Sequence, residues 1–575
     1  MASGLAEKLL TEFEEADEPA SRPPEATGRF GGKGFGLLAS IALTTNNISG
    51  AGMLEFPQAC WSSLSTTDVA RITDPSLLEF AQMFQRAGLL PSLLSMGLVC
   101  VISTLFATTL ADTVARIPNN RDFTRRIEFS CIFEYYIGRC AAMFTQAVVF
   151  LNLLAQNLAS IVACAQMFDS FAGVFWPGAT IALRVSPSPV EWVRWEPSQC
   201  RDDAALECVP FASEGEDALL ISAGYVTTAL LLAPLGLLTL EENMAQQNIS
   251  FAALLLLSAQ FLFAFCATGL RAGTLPWIGR HWIDAVGVVM RVMAVRTHPA
   301  SGPPLTSVVC HLCLRSFNFA FCVTVPSWLN EKAPHVGVNR VFWTSTILST
   351  LLYTSVGVLG AMAFAQCPEN AHPLWALQPL TSRWAPKSAA HARPGSKSEQ
   401  MLSIIVSERV GLFTRLCGTI FGVVIIGFGV PIFVVIMRYN LVNGGLCSER
   451  WAHVWSSVLP WGTAWMLYQG SVTLKLLAYS GIVLNGFTDF VTPGVVTLVS
   501  LGAARRVARY CRWSADSPPL RRGSSTPVQP FPAALSPFYV EIVAGMVAFL
   551  LVLLPVAVWL QVYCGYSPDC KSLAS

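Results

Sequence analysis

The stretch TTNNISGAGMLEFPQ, Thr44 to Gln58, sets two asparagines, a serine, two glycines and a glutamate inside an apolar run near the start of the chain. In a helix interior a glycine costs about 1 kcal/mol relative to alanine. An unpaired backbone group in lipid is prohibitive unless it lines a cavity or meets protein. If the surrounding chain spans a membrane, Asn47 to Met53 predicts a helix that stops within the bilayer because something is bound there. Gly50 and Gly52 also suit close packing against a neighbouring helix, so a second interrupted segment has to be sought.

The rest of the chain supplies the membrane. Of 575 residues 53% are hydrophobic and 13% charged, with a mean hydropathy of +0.51. A soluble domain carries roughly 25% charged residues. A net charge of +1 gives no electrostatic case for a nucleic-acid partner. Residues 1–34 are acidic and proline-containing, and are expected to be a disordered cytoplasmic tail without a cleavable leader. A span needs about 20 mainly apolar residues. Eleven are predicted: Phe35–Cys60, Ala87–Leu110, Ala141–Phe168, Leu219–Leu240, Ser250–Leu270, Leu305–Leu329, Phe342–Phe364, Val410–Met437, Trp451–Tyr468, Leu474–Leu501 and Tyr539–Tyr563. The predicted class is an all-α, multi-pass integral membrane protein of the plasma membrane or an endomembrane. Residues 35–563 form the transmembrane domain and 564–575 a short C-terminal tail. The basic residues of Arg116–Arg139 and Arg505–Arg522 favour a cytoplasmic N-terminus and an external C-terminus.

The sixth span holds the second interruption. RSFNFAFCVTVPSW places Arg315, Asn318 and Thr324 among aromatics and ends on Pro326. Interrupted segments at corresponding positions of two halves point to a transporter binding site. Free N–H groups at such breaks suit an anion and free carbonyls a cation, and an α-amino acid carries both charges on one carbon. The implied partners are therefore an amino acid and the lipid bilayer.

NNISGAGMLEFPQ, PLGLLTLEENMAQQNISF and VPSWLNEKAPHVGVN resemble segments of the amino acid/auxin permease family, as do IPNNRDFTRRIEFSCIFEYYIG and QNLASIVACAQMFDSF, in order along the chain. The resemblance implies eleven helices, the first ten forming a LeuT-like inverted repeat of five plus five with helices 1 and 6 broken. It implies secondary active transport of amino acids. The substrate cradle would be Asn47, Ile48, Ser49, Gly50, Ala51 and Gly52 facing Phe317, Asn318, Phe319, Ala320 and Phe321. Sodium-coupled members carry a threonine in helix 8 shortly before a proline. Here VVIIGFGVPIF offers Gly427 and Gly429, with Thr419 two turns back, which favours a proton as the coupling ion and weakens sodium. No other cofactor is implied.

Ionisable residues within spans are functional candidates. Glu55 and Arg315, both in the outer halves of their helices, are candidates for an outer gate or for proton coupling, with Asp489 as a third member or an alternative proton carrier. A purely structural ion pair is the competing reading. Gln146, Asn152, Gln156 and Asn157 recur near helical spacing on the third span; Gln146 and Asn152 read as interhelical hydrogen bonds. Glu241 and Glu242 read as solvated helix-end charges, with an inner gate to Lys332 as the alternative. Cys200 with Cys208, and Cys564 with Cys570, are disulfide candidates; Cys310 and Cys313 lack the second pair a metal site would need, and no metal is expected. None of the seven histidines lies with a paired catalytic acid, so an enzyme is disfavoured. A transporter-like receptor that binds an amino acid without net flux is the remaining alternative class.

Overall fold

The computed structural model describes residues 33–49, 88–176, 178–186, 189–195, 210–211, 218–270, 272–278, 320–363, 412–468, 481–513, 528–531 and 535–566, with Phe84 and the short strands 59–60, 292–293, 313–314 and 398–399. Six helices among them are long and apolar enough to cross a membrane: Leu89–Ala115, Arg139–Gly173, Met244–Ala267, Val338–Ala363, Leu416–Asn443 and Leu484–Ala504. Ala223–Leu237 and Ser536–Val552 are shorter apolar helices. The chain is a multi-pass membrane protein.

Burial is inverted relative to a soluble protein, and α2 (Leu89–Ala115) shows it most directly. Its leucines Leu90, Leu93, Leu94 and Leu98 are exposed, while Ser103, Thr104, Thr108, Thr109, Asp112 and Thr113 are buried. A helix in water turns its apolar stripe inward; one in lipid keeps its polar groups for its neighbours. Thr104 Oγ1 lies 2.8 Å from Thr346 Oγ1 on α8 (Val338–Ala363), and Thr113 Oγ1 3.0 Å from Thr497 Oγ1 on α13 (Thr492–Trp513). Asp112 pairs with Arg116 at 2.8 Å and accepts the Tyr539 hydroxyl at 3.0 Å.

The first helix, α1 (Leu37–Ser49), packs between α6 (Met244–Thr268) and α8. The helix α4 (Arg139–Phe175) is much the longest, and packs on α5 (Ala223–Leu232), on α10 (Gly429–Asn443) and on the short α3 (Phe129–Tyr136). Among the described residues three segments are π-helical: Phe421–Ile426 after α9 (Leu412–Ile420), Val454–Val458 after α11 (Glu449–His453), and Gly481–Val491. The last two lie in the ninth and tenth predicted spans, where they lead into α12 (Leu459–Met466) and α13. The final helix, α14 (Tyr539–Tyr566), covers the last predicted span.

Two expectations need correction. The chain is not purely helical: β1 (Ile181–Ser186), β2 (Glu191–Arg194) and β3 (Leu219–Ser222) form an antiparallel sheet in the order β2-β1-β3. Arg184 pairs with Glu191 across the first two strands. The fourth predicted span therefore begins as a strand, with helix starting only at Ala223. Asp169 ties α4 to α5 and to Tyr468, its carboxylate accepting the Gly224 N–H at 2.8 Å and the Tyr468 hydroxyl, while its backbone carbonyl accepts the hydroxyl of Thr180, just before β1, at 2.9 Å.

At Gly224 the helices α4 and α5 touch backbone to side chain. A Cβ there would lie 2.6 Å from Asp169 Cγ and would overlap the Ala165 carbonyl oxygen. Gly224→Ala is therefore expected to destabilise the detergent-solubilised protein by about 1–3 kcal/mol, as overpacking does. A thermal-unfolding midpoint unchanged from wild type would show that the contact gives way freely.

Candidate functional site

The polar end of α1 is held from three sides. Asn46 Nδ2 donates to Gln247 on α6, to its carbonyl at 2.9 Å and to Oε1 at 3.0 Å. Gln247 Nε2 in turn donates to the Phe428 carbonyl at 2.9 Å, just before α10. From α8 the Tyr353 hydroxyl donates to the Ile48 carbonyl at 2.8 Å, and Ser49 Oγ donates to Ser349 Oγ at 3.0 Å. Asn47 Nδ2 reaches Thr324 Oγ1 at 3.3 Å. These partners lie about 200 to 300 residues away in sequence, and the chain comes together around this one helix end.

Thr324 belongs to the sixth predicted span. Ala320 and Phe321 are not helical; one 3₁₀ turn, Cys322–Thr324, leads into α7 (Val325–Glu331), with Pro326 in its first turn where a missing N–H costs nothing. The N–H groups that open such a segment lack intrahelical partners. Asp489 Oδ1 accepts one of them, from Val323, at 3.2 Å. Its Oδ2 accepts the Thr488 hydroxyl at 3.0 Å, and the side chain is buried.

Asp489 is carried on the π-helix Gly481–Val491, a geometry found mostly at functional sites. The same segment meets α4 through Asn152 Nδ2 to Thr488 Oγ1, 2.7 Å, and Gln156 Nε2 to Asn485 Oδ1, 2.7 Å. A continuous polar ladder thus runs from α4 through the π-helix to the start of α7. Asn152 makes the interhelical bond its spacing predicts. Gln146 does not: it is buried, and neither amide atom has a hydrogen-bond partner among the described residues.

Of the predicted site residues the structure places Asn47, Ile48, Ser49, Ala320, Phe321 and Asp489, and joins the first and sixth spans through Asn47 and Thr324. Gly50, Ala51, Gly52, Glu55, Arg315, Phe317, Asn318 and Phe319 lie outside the described residues, as do the cysteines Cys200, Cys208 and Cys570, while Cys564 lies in α14. Among the described residues, no group of three or more His, Cys, Asp or Glu side chains could hold a metal ion.

At the end of the bundle that holds residues 33–35, a second cluster was not anticipated from sequence. Glu128 is buried and accepts Ser327 Oγ at 2.6 Å, Asn330 Nδ2 at 2.9 Å and Asn443 Nδ2 at 3.4 Å. Burial pushes its carboxyl above the ordinary range, and these hydrogen bonds pull against that shift. Lys332 does not meet Glu241 or Glu242. Its Nζ donates to the Val336 carbonyl at 3.2 Å and stands 5.0 Å from the Phe123 ring centre. Glu242 caps its own turn, accepting the Thr239 N–H at 2.7 Å and hydroxyl at 3.0 Å, which holds its carboxyl below the ordinary value. The solvated helix-end reading suits Glu242, which is exposed.

No protein-family model matches the chain, and no curated protein matches it. Among solved structures it is similar to Mhp1, a nucleobase-cation-symport-1 family transporter, in a closed conformation with bromovinylhydantoin bound. That likeness has 10% identity and a TM-score of 0.48, and covers 97% of this chain and 99% of the other. A second likeness is to the Eremococcus coleocola manganese transporter in complex with an aromatic bis-isothiourea substituted compound, at 11% identity and a TM-score of 0.38, over 93% and 100% of the two chains. Both scores fall below the level at which a shared fold follows, so function is argued from the chain's own residues.

The Gln247 bridge makes a direct test of the α1 anchorage. Gln247→Ala removes one of the two acceptors of the Asn46 amide, strands the Phe428 carbonyl in the interior and is expected to cost about 1–3 kcal/mol. The double variant with Asn46→Ala should lose clearly less than the sum of the two single changes, because the donor is removed with its acceptor. Strict additivity in thermal unfolding would show that the two side chains do not share this bond.

Proposed function

We propose that this chain is a secondary active transporter that moves amino acids by alternating access, of the amino acid/auxin permease type its motifs resemble, with a proton as the coupling ion. The observation that carries the proposal is the meeting of α1 with the 3₁₀ turn that leads into α7, at Asn47 and Thr324, beside the buried carboxylate of Asp489.

Asp489 already occupies the Val323 N–H at the α7 break. The substrate carboxylate therefore falls to the first break, at Asn47 to Gly52, whose glycines let an anion approach the backbone. Ala320 and Phe321 stand opposite as cavity wall, and the ammonium end faces the carbonyls of the broken segments. Once Asp489 takes a proton it loses its charge-assisted hold on the Val323 N–H. The start of α7 is then free to shift toward the bound substrate, which couples proton binding to a change in the cradle.

The choice of a proton over sodium has a structural argument. Sodium would need an oxygen cage formed by carbonyls of the first helix and a hydroxyl of the eighth. Here the Ile48 carbonyl is taken by Tyr353 and the Phe428 carbonyl by Gln247. Gly427 and Gly429 supply no hydroxyl.

The test is tracer uptake by the purified protein in liposomes, with competition across the twenty amino acids under an imposed proton or sodium gradient. Wild-type protein should accumulate substrate under an inward proton gradient. Asp489→Asn should lower that accumulation at least about tenfold, yet still exchange internal for external amino acid at equal pH. Drive by sodium alone would overturn the coupling assignment; substrate binding without flux would support the receptor reading instead.

A further inference from the structure

Where α7 ends, the backbone of residues 33–35 lies across it as a one-bridge strand. The Phe35 N–H donates to the Glu331 carbonyl at 3.2 Å, and the Ala333 N–H to the Phe35 carbonyl at 3.0 Å. Phe35 pairs with Lys332 in parallel and is buried. On one side Lys33 Nζ holds the Asp122 carbonyl at 3.2 Å. On the other, Gly34 runs so close to Glu241 that a Cβ would lie 2.6 Å from its carboxylate. With the N-terminus cytoplasmic, as the basic loops predict, this is the inner mouth of the bundle. Two backbone hydrogen bonds and one aromatic side chain close it.

Beneath that strand is Glu331, two residues past the sixth predicted span. Its side chain is fully buried, with the Tyr439 hydroxyl beside its carboxylate. Groups from every surrounding element face it. Arg126, from the loop before α3, and the Tyr439 hydroxyl, from α10, favour its charged form; Glu128 and Glu241 oppose it. Lys332 and Lys33 stand at the rim with Asp122, and burial lowers both lysines. Burial is the largest influence on Glu331, and its carboxyl is pushed up to about 8. Its neighbour Glu128 accepts from three side-chain donors, Ser327, Asn330 and Asn443, which gives its ionised form more support than Glu331 receives.

We infer that Glu331 is a proton-release site built into the inner seal: it holds a proton while residues 33–35 cover it and gives that proton to the cytosol when the strand lifts. The inference rests on the transport reading only for its direction, since the linkage holds for any opening that admits water. The closed form binds the proton up to about pH 8. Exposed to water, a glutamate gives it up near its ordinary value of about 4.3. Between those limits the closed form binds more protons than the open one. The open-to-closed ratio therefore rises up to about tenfold per pH unit, then levels off above about 8. At neutral cytosolic pH each opening discharges one proton, which drives the transport cycle forward on the side where the substrate leaves.

Cys322 gives a readout that needs no substrate. It is fully buried at the 3₁₀ turn that opens the α7 segment, and alkylation requires the bundle to open. N-ethylmaleimide labelling of Cys322 in the full-length reconstituted protein is followed by peptide mass spectrometry from pH 5 to 9, for wild type and Glu331→Gln. The thiol chemistry is common to both, so the ratio of their rates isolates the seal. That ratio should climb at least tenfold between pH 5 and 8 and then flatten. Arg126→Gln, which removes a cation favouring ionised Glu331, should move the plateau to higher pH. A flat ratio, or an unmoved plateau in Arg126→Gln where Glu331→Gln fails to fold, overturns the inference. A rising ratio in a protein without amino acid flux would retain the proton-release site and refute the transport reading instead.

Discussion

Inside a bilayer no water waits to take up a stray N–H or carbonyl, and this constraint organises everything described above. A helix that stops part-way releases backbone groups that other helices have to satisfy. Here the partners are named: Tyr353 for the Ile48 carbonyl, Gln247 for the Phe428 carbonyl, and Asp489 for the Val323 N–H. Each comes from an element distant in the chain, so the helix ends act as junctions where α1, α6, α7, α8 and the π-helix before α13 are fixed to one another.

Polar groups are accordingly concentrated in two places. In the middle of the bundle they form the ladder from Gln156 and Asn152 through Asn485 and Thr488 to Asp489. At the end holding residues 33–35 they gather around Glu128 and Glu331. The two clusters are built differently. Asp489 is bound by a backbone donor and a hydroxyl, so its charge is part of the packing. Glu331 is enclosed with the Tyr439 hydroxyl and Arg126 facing it, and burial outweighs what they do for its charge.

Much of this arrangement could be read from the chain before any coordinates. Apolar length places the six spanning helices among the described residues, because lipid enforces a minimum that composition reveals, and Pro326 marks the first turn of α7. Asp489 stands out since a carboxylate in such a run needs a reason. What escaped was pairing over long separations. Nothing local in AQQN shows that Gln247 bridges Asn46 to Phe428, and nothing in RRIEF shows that Glu128 meets Ser327 and Asn330. The sheet was missed for a different reason. Apolar Leu219–Ser222 runs without interruption into a helix, and hydropathy does not distinguish a strand of four residues from a further helical turn.

The length of α4 carries one mechanical consequence. Its 37 residues make a rod of about 55 Å at 1.5 Å per residue, against a hydrocarbon layer of about 30 Å. It runs from beside α3 to the sheet beyond the other end of the bundle, and its middle turns hold the π-helix through Asn152 and Gln156. A stiff member gripped near its centre behaves as a lever. A rocking of only about 5° at the polar ladder would carry each tip of such a rod through about 2–3 Å, in opposite directions. An adjustment too small to disturb a hydrogen bond at the fulcrum would reach both faces of the membrane at once.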